Sequence, residues 1–256
     1  RVGSLSALIH LRNASVGVAS YASPASYVTR YEPYAALVRR WCRRWGYDYV
    51  LQTAPFPANV RGDRHLWQKF PLVLQLLRAG YEQVALVDYD AFVLSEDLSL
   101  AHFFDAAATA DVVAGALNFP GYSLIGYTAP SKSRPMLNSG VVLFRGTAWS
   151  RAFLERLMHD QTCKTNAMVA EEVCLNNAVE RDEEPSKIHV LPFGGLQCEP
   201  VFGYLLRKFS SVGVTEPQSD CWRARPLFYH ALGTETLKAS ALAVASSVTA
   251  RADSSQ

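Results

Sequence analysis

The sequence predicts a single domain of the α/β class. Short apolar runs of strand length alternate with longer segments whose apolar residues recur at helical spacing. Glycine and proline separate the two kinds of segment. A chain of 256 residues buries enough apolar surface for one sizeable core, so no second domain is required.

In the first half of the chain, proline and glycine bound the predicted elements. Small apolar residues predict the first strand. Pro33 is expected in the first turn of a helix, where proline is tolerated, and Gly46 ends that helix. Gly80 closes the next helix. The predicted elements are a strand over 15–21, a helix over 33–45, a strand over 47–51, a loop over 52–63, a helix over about 65–79 and a strand ending at residue 88.

The second half of the chain predicts the same alternation of elements. A loop over 118–135, rich in Pro, Gly, Ser and Tyr, is long enough to face a substrate. The last segment, 239–256, is rich in Ala and Ser and predicts a flexible tail. The predicted strands cover 111–116, 137–145 and 188–192, and the predicted helices cover about 97–108, 150–160 and 170–179.

Two carboxylates flank an aromatic residue where a buried strand reaches its end. Asp88, Tyr89 and Asp90 lie between the apolar runs 84–87 and 91–94. An ionised aspartate is costly to bury unless it is paired or binds a metal, and ligands of open α/β sheets bind beyond the carboxyl ends of strands. Since side chains at i and i+2 share a face in extended chain, we expect both carboxylates to converge on Mg²⁺ or Mn²⁺. The alternative is a solvated turn or a helix cap, because Asp-X-Asp triplets are frequent by chance.

Composition excludes several classes of protein. The formal net charge of +2 argues against a general nucleic-acid-binding protein and favours a small partner. No apolar stretch approaches the ~20 residues of a membrane helix. The five cysteines include no Cys-x-x-Cys spacing, so a structural zinc site is not expected, and their odd number leaves at least one thiol free.

The order of these motifs resembles that of GT-A fold glycosyltransferases, most closely the galactosyl- and xylosyltransferase family and the glycogenin-like family. The resemblance covers residues 16–238. It implies a single GT-A, Rossmann-like domain over 1–238, with a central mixed, mostly parallel sheet flanked by helices. The motifs that carry it are the first strand, Trp67-Gln68-Lys69, Asp88-Tyr89-Asp90-Ala91, Asn138-Ser139-Gly140, Glu171-Glu172 ahead of Leu175-Asn176, and His230-x-x-Gly233.

The resemblance implies roles for particular residues. Asp88, Asp90 and His230 match the ligands that hold Mn²⁺ or Mg²⁺ against the diphosphate of a UDP-sugar. One of Glu171 and Glu172 matches the acid near the reacting sugar carbon, and these glutamates join Asp88 and Asp90 in the expected catalytic set. The residues that the resemblance assigns to donor binding are Ser20, Tyr21, Lys69, Asn138, Ser139, Gly140, Gly233 and Lys238.

Four of these assignments have ordinary alternatives or departures from the family pattern. Lys69 could be a surface lysine whose stem lies along apolar residues. Two acids in a first helical turn commonly serve only to offset the helix dipole. Ser139 stands where the family usually has Thr, and the lysine lies five residues after Gly233.

The implied activity is metal-dependent transfer of a sugar from a UDP-sugar to a glycan or glycoprotein. The related families retain anomeric configuration, and the expected route is front-face transfer in which the departing phosphate oxygen takes the acceptor proton. The metal would stabilise the leaving diphosphate. The expected compartment is the Golgi or another part of the secretory lumen, with a membrane anchor in a longer form of the chain. The cytoplasm is the alternative, as for glycogenin-like proteins.

Two other functions remain open at this point. A catalytically degenerate GT-A domain could bind carbohydrate or a partner protein without turnover. A sugar-nucleotide nucleotidyltransferase is a weaker alternative, because it needs a Gly-rich, basic loop after the first strand and residues 19–23 do not provide one.

Overall fold

The computed structural model describes residues 14–56, 65–117, 135–160, 170–181, 184–192, 195–198 and 227–230. The described strands and helices alternate, which confirms the predicted α/β class. The strands are β1 (Val16–Tyr21), β2 (Asp48–Gln52), β3 (Gln83–Val87), β4 (Ala91–Val93), β5 (Val112–Ala116), β6 (Leu137–Arg145), β7 (Ile188–Leu191), β8 (Gln197–Cys198) and β9 (Phe228–His230). The α-helices are α1 (Ala25–Trp45), α2 (Lys69–Arg78), α3 (Leu100–Ala106), α4 (Ala148–His159) and α5 (Ala170–Arg181).

The central sheet is mixed and mostly parallel, as expected. Its strand order is β2-β1-β3-β6-β5-β7, and β6 runs antiparallel to both of its neighbours while the other pairs are parallel. Val87, the last residue of β3, pairs with Val141 of β6. The first residues of β6 therefore extend past the carboxyl end of β3, where ligands of such sheets bind.

A small second sheet brings the end of the described chain beside the Asp-X-Asp segment. Its strand order is β4-β9-β8. In the antiparallel pair of β4 and β9, Ala91 lies opposite His230. The backbone of His230 is thus paired with the residue that follows Asp90.

Alternate residues of each central strand face two separate layers of helices. On one face, α2 and α4 contribute Phe70 and Phe153 to a cluster that includes Leu86 of β3. On the other face, α1 and α3 contribute Trp41 and Phe104 to a cluster that includes Val87. The period of two along the strand explains why neighbouring residues belong to different clusters.

The first helix begins earlier than the sequence predicts. Helix α1 starts at Ala25, directly after Pro24, and Pro33 lies inside it rather than in its first turn. Tyr27 and Tyr31 extend the helical stripe of aromatic residues towards the amino end, and this stripe sets the start of the helix. Gly46 ends α1 as predicted, with a left-handed φ of 72°.

The boundaries of the other described elements differ from the predicted ones by a few residues. The helix expected over 65–79 is divided into a 3-10 turn at His65–Gln68 and the helix α2. No helix in the described ranges is long and apolar enough to cross a membrane. The expected tail over 239–256 lies outside the described residues, and the domain bounds of 1–238 stay a prediction.

Candidate active site

Lys69 is the centre of a buried polar cluster at the carboxyl edge of the sheet. Its Nζ lies 3.0 and 3.2 Å from the two carboxylate oxygens of Asp88 and 3.4 Å from Glu171 Oε1. The same ammonium donates to the carbonyl of Ser139 at 3.2 Å. Lys69 is only 3% exposed, so the interpretation as a surface lysine is wrong. Lys69 is the first residue of α2 and lies beside Asp88, the residue that follows β3.

The charges around Lys69 determine its protonation. Burial alone lowers the pKa of a lysine, because it penalises the charged form. Here the carboxylates of Asp88 and then Glu171 raise the pKa of Lys69 well above its usual range. Lys69 is therefore a permanent cation at neutral pH.

The segment Asn138 to Gly140 lies inside β6 and links the sheet to α5. The Ser139 N–H donates to Glu172 Oε2 at 2.9 Å, and the Ser139 hydroxyl donates to Glu171 Oε1 at 3.4 Å. The Gly140 N–H donates to Asn138 Oδ1 at 2.6 Å. Since both glutamates are buried, they do more than offset the dipole of α5.

Asn176 fixes α5 against the beginning of β6. Its side-chain oxygen accepts from the Leu137 N–H and its side-chain nitrogen donates to the Leu137 carbonyl, each at 2.9 Å. The same nitrogen donates to the carbonyl of Glu172. This pairing sets the register in which Glu171 and Glu172 reach Ser139.

The two carboxylates of the Asp-X-Asp segment lie on a tight turn and not on extended chain, which corrects the expected geometry. The Ala91 N–H donates to the Asp88 carbonyl at 2.9 Å, and the Asp88 N–H donates to the Gly140 carbonyl at 2.8 Å. The turn forms because the strand direction changes between β3 and β4, which belong to different sheets.

Tyr27 of α1 contacts this turn from the other side. Its hydroxyl forms a hydrogen bond with Asp90. Burial first, and then the nearby charges of Asp90 and Asp88, raise the pKa of the Tyr27 phenol well above its usual range. Both carboxylates therefore lie near one phenol, although Asp88 also contacts Lys69 on α2.

The structure describes the side chains of only two of the three expected metal ligands. Asp88 and Asp90 are placed, whereas the structure describes only the backbone of His230, opposite Ala91. Within the described residues, no group of three or more His, Cys, Asp and Glu side chains could hold a metal ion. The three-ligand set stays a prediction.

The remaining predicted site residues fall into two groups. Ser20 donates its hydroxyl to the Val87 carbonyl at 2.7 Å, which ties β1 to the end of β3, and Tyr21 is the last residue of β1, opposite Gln52. Their role in donor binding stays a prediction. Gly233 and Lys238 lie outside the described residues.

Sequence reasoning missed three residues around the site: Glu32, Tyr27 and Gln197. Gln197 on β8 donates to the Asn138 carbonyl at 3.4 Å, and Glu32 accepts from the hydroxyl of Tyr89. The aromatic stripe of α1, followed back from Tyr34 in steps of three and four, would have pointed to Tyr27. Nothing in the sequence indicates that Gln197 lies beside Asn138.

Comparison with known proteins shows a likeness in structure and none in sequence. No protein-family model and no curated protein matches the chain. A glycosyltransferase involved in glycosylation of the major capsid of PBCV-1 superposes with a TM-score of 0.58 at 13% identity, over 89% of this chain and 98% of that chain. Mouse xyloside xylosyltransferase 1, in its apo form, superposes with a TM-score of 0.51 at 12% identity, over 85% and 97% of the two chains. The chain therefore has the GT-A fold of these glycosyltransferases.

Proposed function

We propose that this chain is a metal-dependent, retaining glycosyltransferase that moves a sugar from a UDP-sugar to a glycan or glycoprotein. One observation carries the proposal: at the carboxyl edge of a GT-A sheet, the buried Lys69 contacts Asp88 and Glu171, and the charge of Glu172 also acts on it. Among the described residues, three carboxyl groups thus lie around one amino group, and Asp90 follows on the adjacent turn, so a further positive charge would be favourable there. The glycosyltransferase neighbours support transfer of a sugar between a donor and an acceptor.

The residues present fit a divalent cation. Carboxylate oxygens are the ligands that Mg²⁺ and Mn²⁺ prefer. Asp88 and Asp90 are two residues apart on one turn. His230 lies in register beside that turn and would complete the set. A cation held by these residues would supply positive charge to the leaving diphosphate of the donor.

Lys69 keeps two of the carboxylates in place. Its ammonium bridges Asp88, on the metal side, and Glu171, on the side of α5. A buried charge that loses its partner is strongly destabilised, and the Lys69 ammonium offsets the negative charge of both acids. It orients the acids, and contact with the donor is an additional role for the same ammonium.

Glu171 is the residue we propose to receive a hydroxyl of the donor sugar. Its Oε1 contacts Lys69 and Ser139, whereas its Oε2 is buried and has no hydrogen-bond partner among the described residues. A buried acceptor without a donor costs about 1–3 kcal/mol. A sugar hydroxyl would satisfy it.

The transfer step balances without a covalent enzyme intermediate. The bond between the sugar carbon and the phosphate oxygen breaks, the acceptor oxygen bonds to the same face of that carbon, and the acceptor proton passes to the departing phosphate oxygen. Glu171 and Glu172 position the sugar and stabilise the positive charge that develops on it. The Ser139 N–H holds Glu172 in its orientation.

We further propose that the protein works in the secretory lumen, such as the Golgi. Cys174 is disulfide-bonded, and disulfides persist in oxidising compartments and are rare in the cytoplasm. Cys42 is buried and free, which agrees with the expected odd thiol.

Calorimetric titration of UDP into the metal-free chain, with and without Mn²⁺, tests the proposed function. We expect tight binding only with Mn²⁺, and loss of the metal-dependent part in Asp90→Asn. Asp105→Asn is the matched control, because Asp105 is an exposed acid on α3. A panel of UDP-sugars is then tested for metal-dependent hydrolysis.

Each outcome of these titrations decides between the alternatives. Metal-dependent binding that Asp90→Asn abolishes and Asp105→Asn keeps supports the transferase. Binding without turnover of any donor favours a degenerate binding module. UDP binding that depends on neither the metal nor Asp90 contradicts the proposed site.

A further inference from the structure

We propose that Glu32 on α1 is a positioning residue that orients the metal-binding turn from Asp88 to Ala91 through the hydroxyl of Tyr89. The inference rests on the proposed function, because it concerns the two carboxylates that would hold the cation. Glu32 is remote from them in sequence and touches neither directly in the contacts described above. It acts through the middle residue of the Asp-X-Asp segment.

The turn is anchored on two sides. On the β6 side, its backbone is held where Asp88 donates to Gly140 and where Ala91 closes the turn onto Asp88. On the α1 side, the anchors are side chains of its two central residues, Tyr89 and Asp90. The orientation of Asp90 therefore depends on α1.

The hydroxyl of Tyr89 fixes the position of the whole residue. Tyr89 is 2% exposed, and its Oη donates to Glu32 Oε2 at 2.8 Å. A buried hydroxyl without an acceptor costs about 1–3 kcal/mol, so the ring is held where Glu32 can accept. Because Asp88 and Asp90 adjoin Tyr89 on the chain, a shift of this ring moves both carboxylates.

Arg39 fixes Glu32 in turn. The guanidinium of Arg39, two turns further along α1, forms an ion pair and hydrogen bonds with the Glu32 carboxylate. The side chain of Glu32 is 48% exposed, and exposed pairs of this kind add little stability. The pair has a second consequence here, since it orients the acceptor for Tyr89.

Aromatic packing keeps this side of α1 rigid. The ring centroids of Tyr27 and Tyr31 lie 4.4 Å apart, and those of Tyr27 and Tyr89 lie 6.3 Å apart. Tyr34 continues the cluster to Phe92 of β4 at 5.1 Å. The turn is thus followed by a strand that packs on the same helix, and Glu32 adds the directional contact.

The test uses the full chain and measures Mn²⁺ affinity by titration, without donor or turnover. We expect Tyr89→Phe, which removes only the hydroxyl, and Glu32→Ala to weaken Mn²⁺ binding about 10-fold, in the range typical of groups that orient metal ligands. Glu32→Gln keeps an acceptor oxygen and is expected to restore most of the affinity. The double variant should be no weaker than either single variant, because both remove the same contact.

A second measurement needs no metal. Hydrogen exchange of the peptide over 86–92 in the metal-free chain should be faster in Tyr89→Phe and Glu32→Ala than in the original chain. Tyr47→Phe is the matched control, since it removes a part-buried tertiary hydrogen bond that the Tyr47 hydroxyl accepts from the Leu100 N–H in another part of the fold. It should change neither the exchange of 86–92 nor the Mn²⁺ affinity.

The outcomes separate this inference from the proposed function. Mn²⁺ binding that Asp90→Asn abolishes but Tyr89→Phe leaves unchanged overturns the role of Glu32 alone. Unchanged exchange over 86–92 in both variants overturns it as well. If the original chain binds no Mn²⁺, the proposed metal site and the role of Glu32 fall together.

Discussion

The two edges of the central sheet each place an aspartate beside a lysine, and they differ in charge balance. At the amino edge, Lys187 Nζ lies 3.1 Å from Asp111, and the lysine side chain is 34% exposed. At the carboxyl edge, Lys69 is 4% exposed by its side chain and contacts Asp88 and Glu171 together. The first pair is a one-to-one contact at the rim of the fold.

The difference teaches that an excess of buried acid marks the functional edge. A structural ion pair needs only mutual neutralisation and access to solvent, as at Lys187. Among the described residues, the carboxyl edge keeps more acids around Lys69 than one ammonium neutralises. Such a cluster costs stability, and that cost is understandable if a cation and a sugar complete it.

Replacing the two lysines separately gives the largest expected effect. Lys69→Met leaves the buried Glu171 and the part-buried Asp88 without their cation and should destabilise the fold by about 3–5 kcal/mol. Lys187→Met should cost less, about 1–2 kcal/mol, because the Lys187 side chain is 34% exposed and only one carboxylate, that of Asp111, loses its partner. Urea unfolding of both variants measures the difference, and equal losses would remove the distinction between the edges.

Replacing two glycines compares how tightly the edges are packed. At the amino edge, a Cβ on Gly146 would lie 2.4 Å from the Tyr81 carbonyl oxygen, which is backbone and cannot move easily. Gly146→Ala should therefore cost about 1–3 kcal/mol. At the carboxyl edge, a Cβ on Gly115 would meet the side chain of Gln197 at 3.1 Å.

Since Gln197 can adjust, and alanine suits a strand better than glycine does, Gly115→Ala should change stability by less than about 1 kcal/mol. Thermal unfolding of both variants checks the ranking. A larger loss for Gly115→Ala would show that the contact between Gln197 and Asn138 is rigid.

The smallest expected effect on stability comes from removing one surplus acid. Glu171→Gln keeps the shape and the contact of Oε1 with Ser139, and it lowers the excess negative charge. We expect stability within about 1 kcal/mol of the original, shifted towards greater stability, and donor hydrolysis reduced roughly 10²-fold. Chemical unfolding and a hydrolysis assay on the same preparation test both parts, and a large destabilisation would show that the charge of Glu171 is structural.

Local patterns in the sequence predict the elements that carry the site, but not their contacts. The sequence predicts the strand before Asp88 from its apolar run. It predicts the helix that carries Lys69 from the helical spacing of its apolar residues and from the glycine that follows it. The contact of Lys69 with Glu171 joins α2 to α5, and no local pattern encodes it. The sequence predicts too late a start for α1, because proline is typical of a first helical turn whereas here the tyrosines before Pro33 already belong to the helix. Strand β9 is too short to be distinguished from a loop without its partner β4.

The position of β6 in the central sheet has a consequence for how the protein reaches its native state. This strand is synthesised after β3 and β5 but lies between them, so the sheet cannot close until a later segment inserts into its middle. Such non-local pairing loses loop-closure entropy before its contacts stabilise the chain, and this loss slows folding. Because β6 also carries Ser139 and docks α5, we expect the site to assemble only in the last step of folding, and partly folded chains to lack any donor site.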